Sequence, residues 1–149
     1  MIVCQRSGDG RLCLSIWFSA IPYSYPDDAR LPGITIPIKL YAKNRFVSLA
    51  AKVDTGADHC LFERALGERL GLDVESGPKR SFRTVAGRFE AHEHRIVLQT
   101  FDIEIESAVY FAADPGVNRN LLGRAGWLEH FRLAIVHHEC ELYLNDFDN

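Results

Sequence analysis

The sequence predicts an all-β domain, a small closed barrel with one or two short helices. Three observations carry this. Runs with apolar residues at every second position recur along most of the chain. Turn-forming residues interrupt them at short intervals. Helical spacing occurs in only two places, each time briefly, which is the pattern of a small barrel or folded sheet.

From the N-terminus, Ile2-Val3-Cys4 and Leu12-Cys13-Leu14 flank Gly8-Asp9-Gly10 and read as a hairpin. Leu12 to Ile21, preceded by Arg6 and Arg11, has the length of a signal-peptide apolar core, but Asp9 sits among the arginines and Ser15 and Ser19 interrupt the run. The cytoplasm is the favoured location. Pro22, Pro26 and Pro32, with Asp27-Asp28, mark a linker or extended arm before Gly33. The expected organisation is therefore an N-terminal arm or hairpin plus Pro-rich linker over 1–33 and a folded domain over 34–149.

Within that domain, Pro37 makes the run Thr35–Leu40 an edge strand. Val47, Leu49, Ala51 and Val53 alternate with Phe46, Ser48, Ala50 and Lys52 and lead straight into Asp54. Phe62, Ala65, Leu66 and Leu70 switch to helical spacing, with Gly71 as C-cap and Glu63, Arg64, Glu68 and Arg69 as the wet face. Ser81–Val85 and Arg88–Phe101 form a hairpin about Ala86-Gly87. Ile103, Ile105, Val109 and Phe111 continue the strand pattern. A second helix is expected from about Arg124 to His130, then two short strands, Leu133–Val136 and Cys140–Leu144, around His137-His138-Glu139. Trp17 and Trp127 read as packing anchors.

Composition narrows the function. The 149 residues are 47% hydrophobic, with 17 basic against 20 acidic side chains, a formal charge of −3. Such a chain buries roughly 68–70% of its unfolded surface, enough for a core without staples. The charge balance leaves no basic footprint for nucleic acid, and no apolar stretch reaches the roughly 18–20 residues that span a bilayer. Cys4, Cys13, Cys60 and Cys140 contain no CxxC pair and read as mostly reduced, small apolar residues.

The chemistry concentrates at Ala51-Lys52-Val53-Asp54-Thr55-Gly56-Ala57-Asp58. An apolar strand delivers a carboxylate into a turn that Thr55 can tie and Gly56 leaves open to close approach. By itself Asp-Thr-Gly also suits an ordinary Asx turn. Two further segments follow it in order: Thr84-Val85-Ala86-Gly87-Arg88-Phe89 and Leu121-Leu122-Gly123-Arg124. Together the three segments resemble the retropepsin-like aspartic proteases, the family of retroviral proteases and their cellular relatives. The resemblance covers roughly residues 34–145.

The resemblance implies a barrel of retropepsin type and an aspartic endopeptidase acting on peptide or protein substrates. Peptide hydrolysis without metal or covalent nucleophile needs an activated water and a proton donor, which two adjacent carboxylates sharing one proton supply. With a single Asp-Thr-Gly in the chain, the second carboxylate would come from another copy, so the resemblance implies a homodimer with Asp54 of each subunit at the two-fold axis. It needs no cofactor and no metal, and no nucleic acid or membrane partner. Asp54, Thr55 and Gly56 would form the catalytic turn, with Thr55 locking the two turns together. Ala57 and Asp58 would line the cleft, and Val85, Ala86 and Gly87 would form a mobile flap over the substrate. Leu121, Leu122 and Gly123 would pack beneath the turn. The flap tip has one glycine where retroviral flaps have more, which implies stiffer closure or a narrower substrate range. Ala125 stands where many relatives carry an acidic or amide residue. Residues 1–33 have no counterpart in the minimal pattern, and would serve as a dimer contact or as a cleft-blocking arm.

Other readings compete. His59-Cys60, His92 with His94, and His137-His138-x-Cys140 offer imidazole and thiolate to zinc, though none has a known zinc spacing, and His92 and His94 alternate with Glu90 and Arg95 like a solvated strand face. Cys60 with a distant His would be a cysteine protease without its local signature. No Gly-x-Ser-x-Gly is present for Ser-His-Asp chemistry. A catalytically silent dimeric peptide-binding or assembly module on the same fold, capturing an extended segment by strand addition, is the alternative from a different class.

Overall fold

The computed structural model describes residues 2–6, 12–16, 19–22, 33–84 and 87–146. Trp17, Val85 and Ala86 lie outside them. In chain order the strands are β1 (Ile2–Arg6), β2 (Leu12–Ile16), β3 (Ser19–Pro22), β4 (Thr35–Ala42), β5 (Arg45–Val53), β6 (Leu61–Phe62), β7 (Lys79–Thr84), β8 (Gly87–Thr100), β9 (Ile103–Ala112), β10 (Leu121–Leu122), β11 (Phe131–Val136) and β12 (Glu141–Asp146). One α-helix, α1 (Arg64–Arg69), and three 3₁₀ turns complete the described residues. The chain divides into two compact units, residues 1–24 with 131–149, and residues 25–130.

In the first unit β1 and β2 pair antiparallel, with Cys4 opposite Leu14, and the expected turn at Gly8-Asp9-Gly10 lies outside the described residues. A separate antiparallel sheet runs β11-β12-β3, in which Tyr143 faces Ala20 on one side and Ala134 on the other. Cys140 takes a left-handed conformation, φ 53°, between the 3₁₀ turn His137–Glu139 and β12.

The second unit carries the predicted barrel-forming strands. Pairing runs β4-β5-β10-β6-β9-β8 and returns from β8 to β4, so the ring of strands closes on itself. The fourteen residues of β8 make closure possible. One edge pairs with β9 from Ala91 to Thr100, while the other serves β7 through Gly87–His92 and β4 through Val97–Gln99. Pro37 sits where β4 has β5 as its partner and β8 has not yet joined, so its missing N–H costs no ladder bond on that open side. Buried Ile36, Leu40, Phe62, Leu98, Phe111, Leu122 and Trp127 fill the interior. The Trp127 indole, with no exposed surface, donates to Thr100 Oγ1 at 2.9 Å and so satisfies two buried polar groups at once.

Three expectations are corrected. The first helix is shorter than its periodicity suggests: Phe62 belongs to β6 and Ala65 is exposed, leaving Leu66 as the apolar side chain it buries. The helix expected from Arg124 to His130 is reduced to a 3₁₀ turn at Leu128–His130. Gly126 has φ +92° and donates its N–H to Glu129 Oε1 at 2.7 Å, while Leu128 and Glu129 reach back five residues to Gly123 and Arg124. That hydrogen-bond pattern is incompatible with the i→i−4 ladder. Finally, His92 is buried, and His94 partly so. Their rings bond the backbone carbonyls of Gly77 and Val74, both at 2.9 Å, and clamp the 74–77 turn to β8, so this face is a packing surface.

Candidate active site

The alternating strand β5 buries Val47, Ala51 and Val53 and then stops, because residues 34 and 120–122 close around its end. Lys52 N–H donates to Asn120 O at 2.8 Å, Val53 N–H to Ile34 O at 2.9 Å, and Asp54 N–H to Leu122 O at 3.0 Å. With its backbone held this way, Asp54 opens a tight turn: Ala57 N–H bonds its carbonyl at 3.1 Å and Gly56 N–H bonds its Oδ1 at 3.0 Å. Asp54 is half-buried, and Thr55 and Gly56 are exposed. Among the described residues, Oδ2 of Asp54 and the hydroxyl of Thr55 carry no hydrogen bond.

The next stretch is fastened to the chain after β10. Arg124 N–H donates to Ala57 O and Ala125 N–H to Asp58 O, each at 2.9 Å, and His59 forms a parallel bridge with Ala125. Gly123 is required by this contact. A Cβ there would lie 2.3 Å from His59 O and 2.4 Å from its carbonyl carbon, and backbone cannot yield as a side chain can. Leu121 and Leu122 pair with Lys52 and Val53, so β10 lies directly alongside the strand that ends in Asp54.

Electrostatics distinguish the neighbouring side chains. Arg124 donates to the Asp58 carboxylate, and that bond, with the guanidinium charge, holds the Asp58 carboxyl below the usual carboxylate range. Burial, reinforced by the charge of Arg80, lowers the His59 imidazole below the ordinary histidine value. Cys60 is fully buried, and burial pushes its thiol up to about 12. It therefore stays protonated and is no nucleophile near neutral pH, which removes the cysteine-protease reading.

Strands β7 and β8 stand beside this turn as the expected hairpin, with Thr84 opposite Gly87. One face carries Phe82 and Phe89, stacked at 5.5 Å, which pack against buried Leu61, Ala91 and Tyr110 together with Val117 and Leu121. Phe82 meets Tyr110 edge-on at 5.0 Å, and the His59 ring lies 5.0 Å from Tyr110. Gly87 has φ +133°, and a Cβ on it would meet no atom of the described residues within 4 Å.

Of the residues singled out in the sequence, Asp54, Thr55, Gly56, Ala57 and Asp58 thus share one turn, supported by Leu121, Leu122 and Gly123. Gly87 lies at the hairpin end, and Val85 and Ala86 fall outside the described residues. Sequence reasoning did not find the Asp58–Arg124 tie, which joins positions 66 apart, nor the packing of His59, Arg80 and Tyr110. Among the described residues, no group of three His, Cys, Asp or Glu is placed to hold a metal ion. A shallow apolar depression of about 450 Å³ between Ile38, Leu49, Ala50 and Phe101 shares no residue with the Asp54 turn.

Residues 43–126, more than half the chain and including both the Asp54 turn and Leu121-Leu122-Gly123, match the family described as aspartyl protease. The chain belongs to that family. A retropepsin-like aspartic protease from Rickettsia conorii superposes on this aspartyl protease family member with a TM-score of 0.61 at 20% identity, covering 86% of this chain and 99% of the other. The all-β fold is thus of retropepsin type. EIAV protease complexed with the inhibitor HBY-793 is also similar, with a TM-score of 0.49 and 22% identity over 68% of this chain and 88% of that one. No curated protein matches the chain in sequence.

Proposed function

We propose that the chain is an aspartic endopeptidase that hydrolyses peptide bonds as a homodimer, using water activated between Asp54 and the partner's Asp54. The observation that carries this reading is the carboxylate of Asp54. It leaves a buried strand into a turn where Gly56 holds one oxygen and the other carries no hydrogen bond among the described residues, within a segment matching the aspartyl protease family.

A single carboxylate cannot be both base and acid in one step. Two close together cannot both ionise, so the pair holds one proton. The ionised member takes a proton from water as its oxygen attacks the peptide carbonyl carbon. The protonated member gives its proton to the carbonyl oxygen, and a tetrahedral diol forms. Collapse of the diol breaks the C–N bond: the protonated member gives its proton to the departing amine while the ionised member takes one from a diol hydroxyl, which leaves a carboxylic acid and restores the singly protonated pair. Thr55, exposed and without an intrachain bond among the described residues, supports a role in tying the two turns together. The β7–β8 hairpin covers the bound peptide and excludes water.

The test is the full chain against its Asp54→Asn variant, with peptide-library cleavage followed by mass spectrometry from mildly acid to neutral pH. Sedimentation of both proteins should give about twice 16.9 kDa. In a homodimer one substitution removes both carboxylates, so turnover should fall by at least about a hundredfold while the dimer persists. Full activity in Asp54→Asn, or cleavage by a stable monomer, overturns the mechanism. Selective peptide binding with no cleavage in the parent establishes the silent binding module instead.

A further inference from the structure

The inner face of the β7–β8 hairpin carries a cation that the reaction scheme leaves unused. Across this hairpin, Arg80 pairs with Ala91 and Phe82 with Phe89, so these four share the face that packs against Tyr110. Arg83 and Arg88 oppose each other on the other face. The Arg80 guanidinium lies 5.9 Å from the Phe82 ring centre and 5.8 Å from that of Tyr110. Its one hydrogen bond among the described residues is a long one, 3.4 Å to the Tyr110 hydroxyl. A guanidinium has five N–H donors in a planar fork, so most of this one faces solvent.

Among the described residues no carboxylate forms an ion pair with it, and Glu93 connects to it through the Tyr110 hydroxyl that both bond. Glu93 accepts the Tyr110 hydroxyl at 2.6 Å. Glu90 pairs with Lys79 at 3.1 Å on the opposite face. Asp58 is held by Arg124. His59, whose ring completes the aromatic surroundings 6.1 Å from Phe82, is no counter-charge. Arg80 is therefore an exposed cation that lies within 6 Å of two aromatic ring centres, and among the described residues it has no ion-pair partner. His59 follows Asp54 by five residues, at most about 18 Å of chain. A peptide extended through the Asp54 turn places a side chain here within a few residues of the bond cut.

We propose that Arg80 is a specificity-determining residue that recognises an acidic side chain, Glu or Asp, of the peptide substrate, above the aromatic floor of Phe82, Tyr110 and His59. This rests on the peptidase reading given above. A carboxylate in that position satisfies two guanidinium N–H groups at once, a charge-assisted pairing stronger than a neutral one. Closure of the hairpin over the peptide removes water and strengthens it further.

The experiment uses matched peptides, derived from a cleaved sequence or from the library, that carry Glu, Gln or Lys at each position flanking the centre. kcat/KM is measured for the parent, Arg80→Gln, Arg80→Lys and Arg80→Glu. Binding of the same peptides is measured by fluorescence anisotropy on the Asp54→Asn dimer with and without the Arg80 changes. At one position the parent should favour Glu over Gln by about tenfold or more. Arg80→Gln should erase that preference, Arg80→Lys retain part of it, and Arg80→Glu shift it to Lys. The anisotropy series should show the same order, shrinking as salt rises. Cleavage with no Glu preference at any position, or a preference that Arg80→Gln leaves intact, overturns the proposal and leaves the peptidase standing. Glu-selective binding that Arg80→Gln removes, in a protein that cuts nothing, supports the subsite and sinks the peptidase. Neither cleavage nor Glu-selective binding overturns both.

Discussion

The backbone of Gly123 runs against that of His59 so closely that a Cβ on Gly123 would sit 2.3 Å from the His59 carbonyl oxygen. This contact sets the distance between the Asp54 turn and the segment after β10, and Arg124 and Ala125 then bond Ala57 and Asp58 in register. Gly123→Ala must push these two backbones apart. Overpacking in a tight interior costs about 1–3 kcal/mol, and here the crowded atoms are main chain. Thermal unfolding should show a clear drop in Tm, and an unchanged Tm would mean the two segments are not held as described.

Gly87 offers the complementary case, strain without crowding. At φ +133° an L-residue is strained, but no described atom lies within 4 Å of a Cβ there, so a turn at the hairpin end can relax without disturbing the core. Gly87→Ala should therefore change the hairpin end alone. Peptide turnover is expected to fall several-fold with Tm nearly preserved. Equal turnover in both proteins would show that this hairpin does not close over substrate.

Asp58 should titrate below the normal aspartate range because Arg124 bonds and attracts its ionised form. The sign follows from proton binding: the folded protein holds fewer protons than the unfolded one. The pair's contribution is thus present above the unfolded value of about 4 and is lost as pH falls through the lowered folded value. Carboxyl NMR of the parent should place Asp58 low, and Arg124→Gln should return it toward the ordinary value. Both residues are exposed, so global stability should change little.

His59 has a lowered value for a different reason, burial first and Arg80 second. Here too the unfolded state binds more protons, so stability falls as pH drops below the unfolded value of about 6.5. Urea unfolding of the parent should lose stability across that interval. In His59→Gln the slope should be shallower. A parallel pH dependence in the two proteins would place the His59 ring in solvent.

Cys60, with its thiol pushed up to about 12 by burial, should resist alkylation. Peptide mapping after iodoacetamide treatment of the native protein near neutral pH should find Cys60 unmodified, and modified once denaturant is added. Rapid native labelling would contradict its burial.

Periodicity alone was sufficient for the local part of this architecture. The alternation from Val47 to Val53 put Val47, Ala51 and Val53 inward, with Leu49 half-buried, because a strand's period is two, whatever it pairs with. The β7–β8 hairpin was equally legible, with its second strand starting at Gly87, one residue earlier than expected, and so was the order of the three segments shared with the family. The helix expected after Gly123 failed because apolar spacing reports which residues are buried, not which hydrogen bonds they make. Gly126 and Glu129 close a turn with a different hydrogen-bond pattern there, and Trp127 lies buried with its indole on Thr100. The pairing of Asp58 with Arg124 and the approach of Arg80 to Tyr110 depend on residues far apart in the chain. The parallel contact of β10 with β5 and the register of β7, β8 and β9 bring them together. No window along the sequence contains that information, because charges and rings act through distance in space, and only the closed ring of strands sets those distances.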